Sequence, residues 1–581
     1  MKHFLPPIFP AITGIFCLAA LPFFAVAQDL KKLEPPPVPP QIEAPGTPLK
    51  APPAPSLPRQ DEKVLVESLN GLIFIDRKEA VVKKAAIPTG GFDVSRLPRL
   101  QTPEFKKIVD QYLGKPVTMA ALDRLIKSIY VYYGARDLPF VNATLPEQDI
   151  TSGVVQILVV EGGLGKLRVE GAKWFSADQY LSAIRLRPNE PIRLSVLNED
   201  IAWINKNPFR QANVFFDKGE AVGGTNLVLR TQERFPLRVY AGVQNNGNES
   251  TDQNQLFAGF NWGNAFGLAH QLSYQYTASP DFYKLQGHGG SYMIPLPWRD
   301  TLTLSGAYSK INPEMAAPFK RDGMSLSAAL RYDSTLKPMG PLQHTVGVMF
   351  EYKTTDNNML FGEIPVTDNQ TDILQFSGIY SGEIKDRWGV NNLGLRLTGS
   401  PGGMSARNNT EYFEISRAGA KADYYYGVLD LSRNQRLPVD FSLLISGRLQ
   451  LASRNLLGSE QLGLGGVNSV RGFNEGIVYG DQGYLLRAEL YAPVIPVDRI
   501  LPFTAPSMPL QLLGFYDHGT VSNVDRLAGE ANENTLKSAG FGFRFAIDRH
   551  ASVNFDYGWH LIAYQGVEYQ SRGHISIIIS Y

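Results

Sequence analysis

From Arg234 to the last residue the chain carries no helical period, and polar and apolar residues alternate one by one. In Gln271–Thr277, Leu272, Tyr274 and Tyr276 share one face, and Gln271, Ser273, Gln275 and Thr277 share the other. Val553, Phe555, Tyr557 and Trp559 alternate in the same way with Asn554, Asp556, Gly558 and His560, as do Phe541, Phe543 and Phe545 with Gly540, Gly542 and Arg544. Such a period of two is a strand with unlike faces. No window after the first 27 residues approaches 18 uninterrupted apolar residues. If this region crosses a membrane it must therefore do so as a closed barrel, because lipid cannot satisfy an open sheet edge. The 348 residues from Arg234 to Tyr581 provide, at about 20 to 22 residues per strand and turn, for roughly 16 strands with apolar side chains outward and polar ones inward.

The start of the chain reads as an export signal. Met1-Lys2-His3 precedes an apolar run from Ile8 to Val26, and Ala25-Val26-Ala27 forms a small-residue cleavage site before Gln28. The only cysteine, Cys17, falls inside that leader, so residues 1–27 are expected to be removed and the mature chain to carry no thiol. From Pro35 to Pro58, 11 of 24 residues are proline, which makes residues 28–62 an extended, solvated linker expected in the periplasm. Only seven residues, Gln28 to Glu34, stand before it, about two helical turns and too few for a helix that is stable alone. A net charge of +1 gives no electrostatic footprint for nucleic acid. Neither an H-E-x-x-H, nor a G-x-S-x-G, nor a phosphate-binding glycine loop occurs, and the eight histidines are scattered. The expectation is a chain without enzymatic activity, cofactor or metal.

Between Lys63 and Gly162 strand and helix patterns mix. Leu72–Ile75 and Val154–Val160 are strand material, while Pro103–Tyr112 and Met119–Tyr133 have helical spacing. The order recurs in residues 163–232: a strand at Leu167–Glu170, a helix capped by Ser176 and running to Ile184, a helix from Ser195 to Asn205, then strands at Ala212–Phe216 and Thr225–Arg230. These are two small α+β domains, residues 63–162 and 163–232, ahead of a barrel at 233–581.

One stretch departs from the alternation. Gly463-Leu464-Gly465-Gly466-Val467-Asn468-Ser469-Val470-Arg471-Gly472-Phe473 is too rich in glycine for a good strand and reads as a loop of special backbone geometry with an arginine at its tip. Taken alone it would also suit a surface turn with a solvated arginine. About forty residues on comes Phe515-Tyr516-Asp517-His518-Gly519. Strand phase sets Phe515, Asp517 and Gly519 on one face, and Arg487, Glu489 and Tyr491 on one face of the preceding strand. If Leu486, Ala488 and Leu490 meet lipid, then Arg487 and Glu489 line the lumen, and Asp517 should face inward as well, since a carboxylate against lipid is costly.

The Val470-Arg471-Gly472-Phe473 and Phe515-x-Asp517-x-Gly519 motifs resemble the most diagnostic motifs of the TpsB transporters, the outer-membrane partners in two-partner secretion. The two mixed units resemble the tandem POTRA domains that precede the barrel in that family. The resemblance implies an outer-membrane exporter whose POTRA domains capture an unfolded exoprotein client, a haemolysin or adhesin of the TpsA kind, and pass it through the barrel. It further implies that the sixth extracellular loop folds into the lumen, where Arg471 contacts Asp517, with Phe515 and Gly519 flanking and Glu489 as an additional partner. That pair then either only stabilises the barrel or holds the loop in a conformation needed for export. Tyr581, an aromatic end to an alternating last strand, resembles the signal read by the barrel-assembly machinery, so that machinery and outer-membrane lipid are further implied partners. An insertase of other outer-membrane proteins, built from the same parts, is the first alternative. A passive porin is the second.

Overall fold

Thr102 and Thr118 stand in extended backbone just ahead of helically spaced apolar residues. Their hydroxyls accept from backbone N–H groups three residues on, Phe105 N at 3.2 Å and Ala121 N at 3.0 Å. Each thereby satisfies a donor that a helix N-terminus leaves free, and helices run from Pro103–Val109 and Met119–Gly134. The longer helix buries Leu122, Leu125, Ile126 and Ile129 with the apolar residues of a four-stranded sheet in the order Phe92–Asp93, Gly71–Ile75, Val154–Glu161, Val141–Thr144. The computed structural model describes residues 30, 33–38, 63–220, 223–248, 251–314, 319–361, 364–500, 506–563 and 570–581. The expected leader and most of the proline-rich linker lie outside the described residues.

A second sheet has the order Gly163–Glu170, Gly224–Glu233, Arg210–Lys218, with helices Ala177–Leu181 and Leu194–Asn205. Ser176 and Gln179 form a reciprocal capping box at the first of these. That helix ends three residues short of the expected Ile184. The backbone N–H of Arg185 instead donates to buried Asp200 at 2.8 Å, and Arg185 Nε donates to the same carboxylate at 2.8 Å. The turn tightens to meet them.

From Leu237 onward, among the described residues, sixteen antiparallel strands each pair with the next. The first, Leu237–Gln244, closes the ring on the last, Ser571–Ser580, with Tyr240 opposite Ser580 and Gln244 opposite Ser576. Closure leaves no edge for lipid to meet. The pleat sorts the faces: Leu304, Leu397, Leu486, Leu512, Phe541 and Ile579 are exposed on the outside, while Gln275, Thr277, Asp517 and Asp556 are buried within. A bilayer needs about 9 to 11 residues per strand. The sixth, seventh and eighth strands, Phe319–Thr335, Leu342–Phe361 and Ile364–Asp386, run to 17, 20 and 23 residues and so reach beyond it. Tyr581 is exposed and adds one more rung, exchanging backbone hydrogen bonds with Val239 at 2.9 and 3.1 Å.

Part of the expected linker sits elsewhere than the sequence suggests. Leu30 and Leu33 are buried together with Ala307 of the fifth strand, Thr301–Ile311. Leu33 packs on Gly287 and Gly289 of the fourth strand, Leu285–Pro295. Those glycines stand opposite Thr277 and Gln275 on the luminal face. A Cβ on Gly289 would come within 2.0 Å of the Leu33 carbonyl oxygen, and one on Gly287 within 2.4 Å of Leu33 Cδ2. The wall is bare here because the chain's own N-terminal segment occupies the space. Two leucines against glycine and alanine gain apolar burial without needing a long helix.

In a Cys17→Ser background, the thiol introduced by Leu33→Cys should react slowly with a maleimide. Adding Gly289→Val, whose side chain enters the space of the Leu33 carbonyl, should speed that labelling while the barrel keeps its heat-modifiable mobility on a gel.

Candidate functional site

The longest described loop of the barrel joins its eleventh strand, Ser442–Ala452, to its twelfth, Gln482–Tyr491. Its stem zips as a short hairpin, Leu462–Leu464 against Val478–Gly480, so Gly463 is paired strand where the glycine content suggests only loop. Beyond the stem, Gly465 and Gly466 take φ of +100° and +101°, a region that side-chain-bearing residues avoid. The chain therefore turns sharply there and presents Val470–Phe473 to the barrel wall. Val470 and Phe473 are buried with Leu464, Val478, Leu485, Val521 and Leu536. Gly519 makes room for them, since a Cβ there would lie 2.8 Å from Leu464 Cδ2.

Arg471 has no exposed side-chain surface. Its Nε and Nη2 donate to the two oxygens of Asp517, each at 2.8 Å, and its backbone N–H donates to Asp517 Oδ2 at 3.1 Å. Nη1 lies 2.8 Å from Glu489 Oε1 and 3.5 Å from Asp556 Oδ1. The guanidinium carbon stands 3.6 Å from the centre of the Phe515 ring, a cation–π contact worth about 0.5 to 2 kcal/mol. Two more cations complete the group. Arg487 donates to Glu489 at 3.1 Å, and Arg544 donates to both oxygens of Asp556 at 3.0 and 2.9 Å. Three guanidinium groups thus face three carboxylates, so the buried cluster balances in charge. The fork of an arginine suits this geometry because one planar group meets Asp517 through two parallel bonds and keeps Nη1 free for Glu489.

The next peptide is held through its backbone. Gly472, at φ +89°, touches the Gly558 main chain, where a Cβ would lie 2.8 Å from the Gly558 carbonyl oxygen. Its N–H donates to His574 Nε2 at 3.1 Å, and its carbonyl lies 2.7 Å from His560 Nε2. These contacts define the ring protons: Nε2 of His560 donates, and Nε2 of His574 accepts. Phe473 stacks on His560 with ring centres 3.6 Å apart and planes within 6°.

Strand phase in the sequence places Asp517, Phe515 and Glu489 on a common inward face, and the structure brings all three to Arg471. It does not single out Asp556, Arg544, His560 or His574. Asp556, Gly558 and His560 share the polar face of one alternating strand, and that phase was the available signal. His518 has the opposite phase and lies outside, edge-on to Tyr484 at 5.4 Å.

A closed sixteen-stranded barrel with an inward loop, preceded along the chain by two mixed sheets of the POTRA kind, is the architecture of an outer-membrane transporter of polypeptides. The family described as haemolysin secretion/activation protein ShlB/FhaC/HecB matches residues 223–545, and the ShlB-type POTRA domain matches residues 87–162. The chain belongs to that family. It is an outer-membrane transporter of two-partner secretion that exports a TpsA-type exoprotein, with its POTRA region in the periplasm and no enzymatic activity. Among curated relatives it is 25% identical over 482 residues to the heme/hemopexin transporter protein HuxB of Haemophilus influenzae, covering 78% of this chain and 80% of that one. It is 24% identical over 397 residues to the outer membrane transporter CdiB of Dickeya dadantii, covering 65% and 67%. In fold it is similar to CdiB from Escherichia coli, at a TM-score of 0.72 and 18% identity over 93% of this chain and 94% of that one. It is also similar to CdiB from Acinetobacter baumannii, at 0.62 and 19% over 93% and 95%.

Asp517→Ala should leave Arg471 and Arg487 short of a carboxylate, at a cost of about 3 to 5 kcal/mol for a buried pair, and should lower the denaturant midpoint of the detergent-solubilised barrel. Arg471→Lys should recover little of the native midpoint, because an ammonium cannot bridge Asp517 and Glu489 as the fork does.

Proposed function

We propose that residues 63–162 and 163–232 are the two POTRA domains that receive the unfolded client in the periplasm, and that the barrel at 233–581 passes it outward while Val470–Phe473 holds the inward loop in its transport-competent form. In this reading Asp517 is the chief partner of Arg471, Glu489 is the second, and Phe515 and Gly519 shape the seat. The observation that carries it is the complete burial of Arg471 in a loop that has no need to enter the lumen for the wall to close. The sixteen strands pair without it. A cluster that served stability alone could as well be built between the strands, whereas this one commits a loop to the conduit.

Client capture follows from sheet edges. Among the described residues, the strand Arg210–Lys218 of the second module pairs only with Gly224–Glu233, and Val141–Thr144 of the first pairs only with Val154–Glu161. Ala143 N–H is taken by Tyr130 OH at 3.1 Å, and the Ala212 N–H and carbonyl are taken by the Asn205 side chain at 2.7 and 3.1 Å, so the stretch of the second module's edge beyond Ala212, Asn213–Lys218, is the better seat for an extended polypeptide. Outer-membrane lipid against the apolar outer face and the barrel-assembly machinery reading Tyr581 complete the partners. Clients of haemolysin or adhesin type suit a route that needs an unfolded chain. No phosphate-binding motif is present to couple a nucleotide, so folding of the client outside would supply direction.

The test expresses the chain with the exoprotein encoded beside it and measures release to the medium. Arg471→Ala should cut release sharply while the barrel still reaches the outer membrane folded. Loss of the folded barrel would instead assign the pair to stability alone. Release that does not depend on the chain, with other outer-membrane barrels falling when it is deleted, would overturn export in favour of insertion.

A further inference from the structure

The inward loop meets the wall a second time, through residues other than those around Arg471. Eleven residues before it, Glu460 is buried, its side chain 1% exposed, against Lys353, itself 8% exposed. Lys353 Nζ lies 2.8 Å from Glu460 Oε1 and 3.2 Å from Glu351 Oε2. Tyr426 OH donates to Glu460 Oε2 at 2.8 Å, Gln375 Nε2 donates to it at 3.0 Å, and Gln450 Nε2 donates to the Glu460 carbonyl at 2.9 Å. These wall residues stand on the seventh, eighth, tenth and eleventh strands. The tenth is Asp423–Arg436. None of these strands supplies a partner to Arg471, whose carboxylates come from the twelfth strand, the thirteenth, Pro509–Ser522, and the fifteenth, Ala551–His560. Lys353 on the seventh and Asp556 on the fifteenth are eight places apart in a ring of sixteen, which is half the circumference. The contacts of Glu460 and Arg471 together thus take in the wall from the seventh to the fifteenth strand, meeting at the paired eleventh and twelfth, and tie the loop at two points.

We propose that Lys353 is a positioning residue of a second latch, which holds the proximal limb of the loop against the inner wall through Glu460 and keeps the resting pore closed. The charge arrangement sets how it works. Lys353 pairs with two carboxylates at once, Glu351 on the wall and Glu460 on the loop. With it in place the loop is drawn in. Without it two buried carboxylates face each other and the loop limb is driven off the wall. A neutral residue at position 460 disturbs less, because the Lys353–Glu351 pair survives. The latch does not depend on which client is exported, and its failure leaves the reading of Arg471 untouched.

The purified full chain in planar lipid bilayers, without any client, supplies the readout. Lys353→Met should raise the resting conductance several-fold and sensitise cells to large antibiotics that the closed barrel excludes. Glu460→Gln should raise it less. The double exchange Lys353→Glu with Glu460→Lys, which again places one cation between carboxylates, should restore the closed state. All variants are compared at equal amounts of heat-modifiable barrel, and Glu460→Gln keeps the test open should Lys353→Met fail to assemble. Wild-type conductance in both single variants would overturn the proposal. So would a double exchange that leaks as much as Lys353→Met, since a merely structural loss is not repaired by reversing the charges.

Discussion

A fully buried guanidinium is expensive unless every direction it faces returns a negative or polar partner, and Arg471 meets that demand with groups from three wall strands and the ring of Phe515. Much of the barrel's special sequence follows from it. Carboxylates at 489, 517 and 556 face inward, Arg487 and Arg544 offset their mutual repulsion, and Gly472 and Gly558 let the two main chains touch. Gly519 opens the seat for Val470 and Leu464. Take the arginine away and these residues lose their common reason to be where they are.

The consequence for transport lies in what such a barrel lacks. A membrane barrel of this size has no solid hydrophobic core, and its interior is open to whatever the chain places there. This chain places its own segments in the lumen: the long loop, tied to the wall at Glu460 and at Arg471, and Leu30 and Leu33, seated by Gly287, Gly289 and Ala307. The loop's stem is fastened in turn to the loops before and after it, since Asp481 accepts from Arg417 and from Val524 N at 3.1 Å, and to its own proximal limb through Leu456 N at 2.9 Å. Contacts of this kind are polar and charged, and each buried group gives up its water only for a matched partner. That makes them suited to a plug that must stay shut.

How legible this was depends on range. The barrel could be read because a pleated strand repeats every two residues, so one heptapeptide such as Gln271–Thr277 already displays both environments. The mixed modules could be read from caps and helical spacing, again within a dozen residues. The helix expected to reach Ile184 stops at Leu181 because Asp200 draws on Arg185, a side chain fifteen residues away that local propensity does not register. Strand phase turns Asp556 inward but does not join it, or His574, to Arg471, because they stand 85 and 103 residues away and only closure of the wall brings their strands to the loop. Lys353 and Glu460, 107 residues apart, carry no local mark at all.

The sequence by itself determined the alternation, and with it the sorting of every barrel side chain into lumen or lipid, because the pleat allows no other outcome once the strand register is set. It also determined which residues have the backbone freedom to turn the loop inward. Which inward-facing groups meet one another was decided by tertiary structure alone. Closing sixteen strands into a ring sets residues from separate strands against one lumen, and the pairing of Arg471 with Asp517 and of Glu460 with Lys353 is a property of that closure.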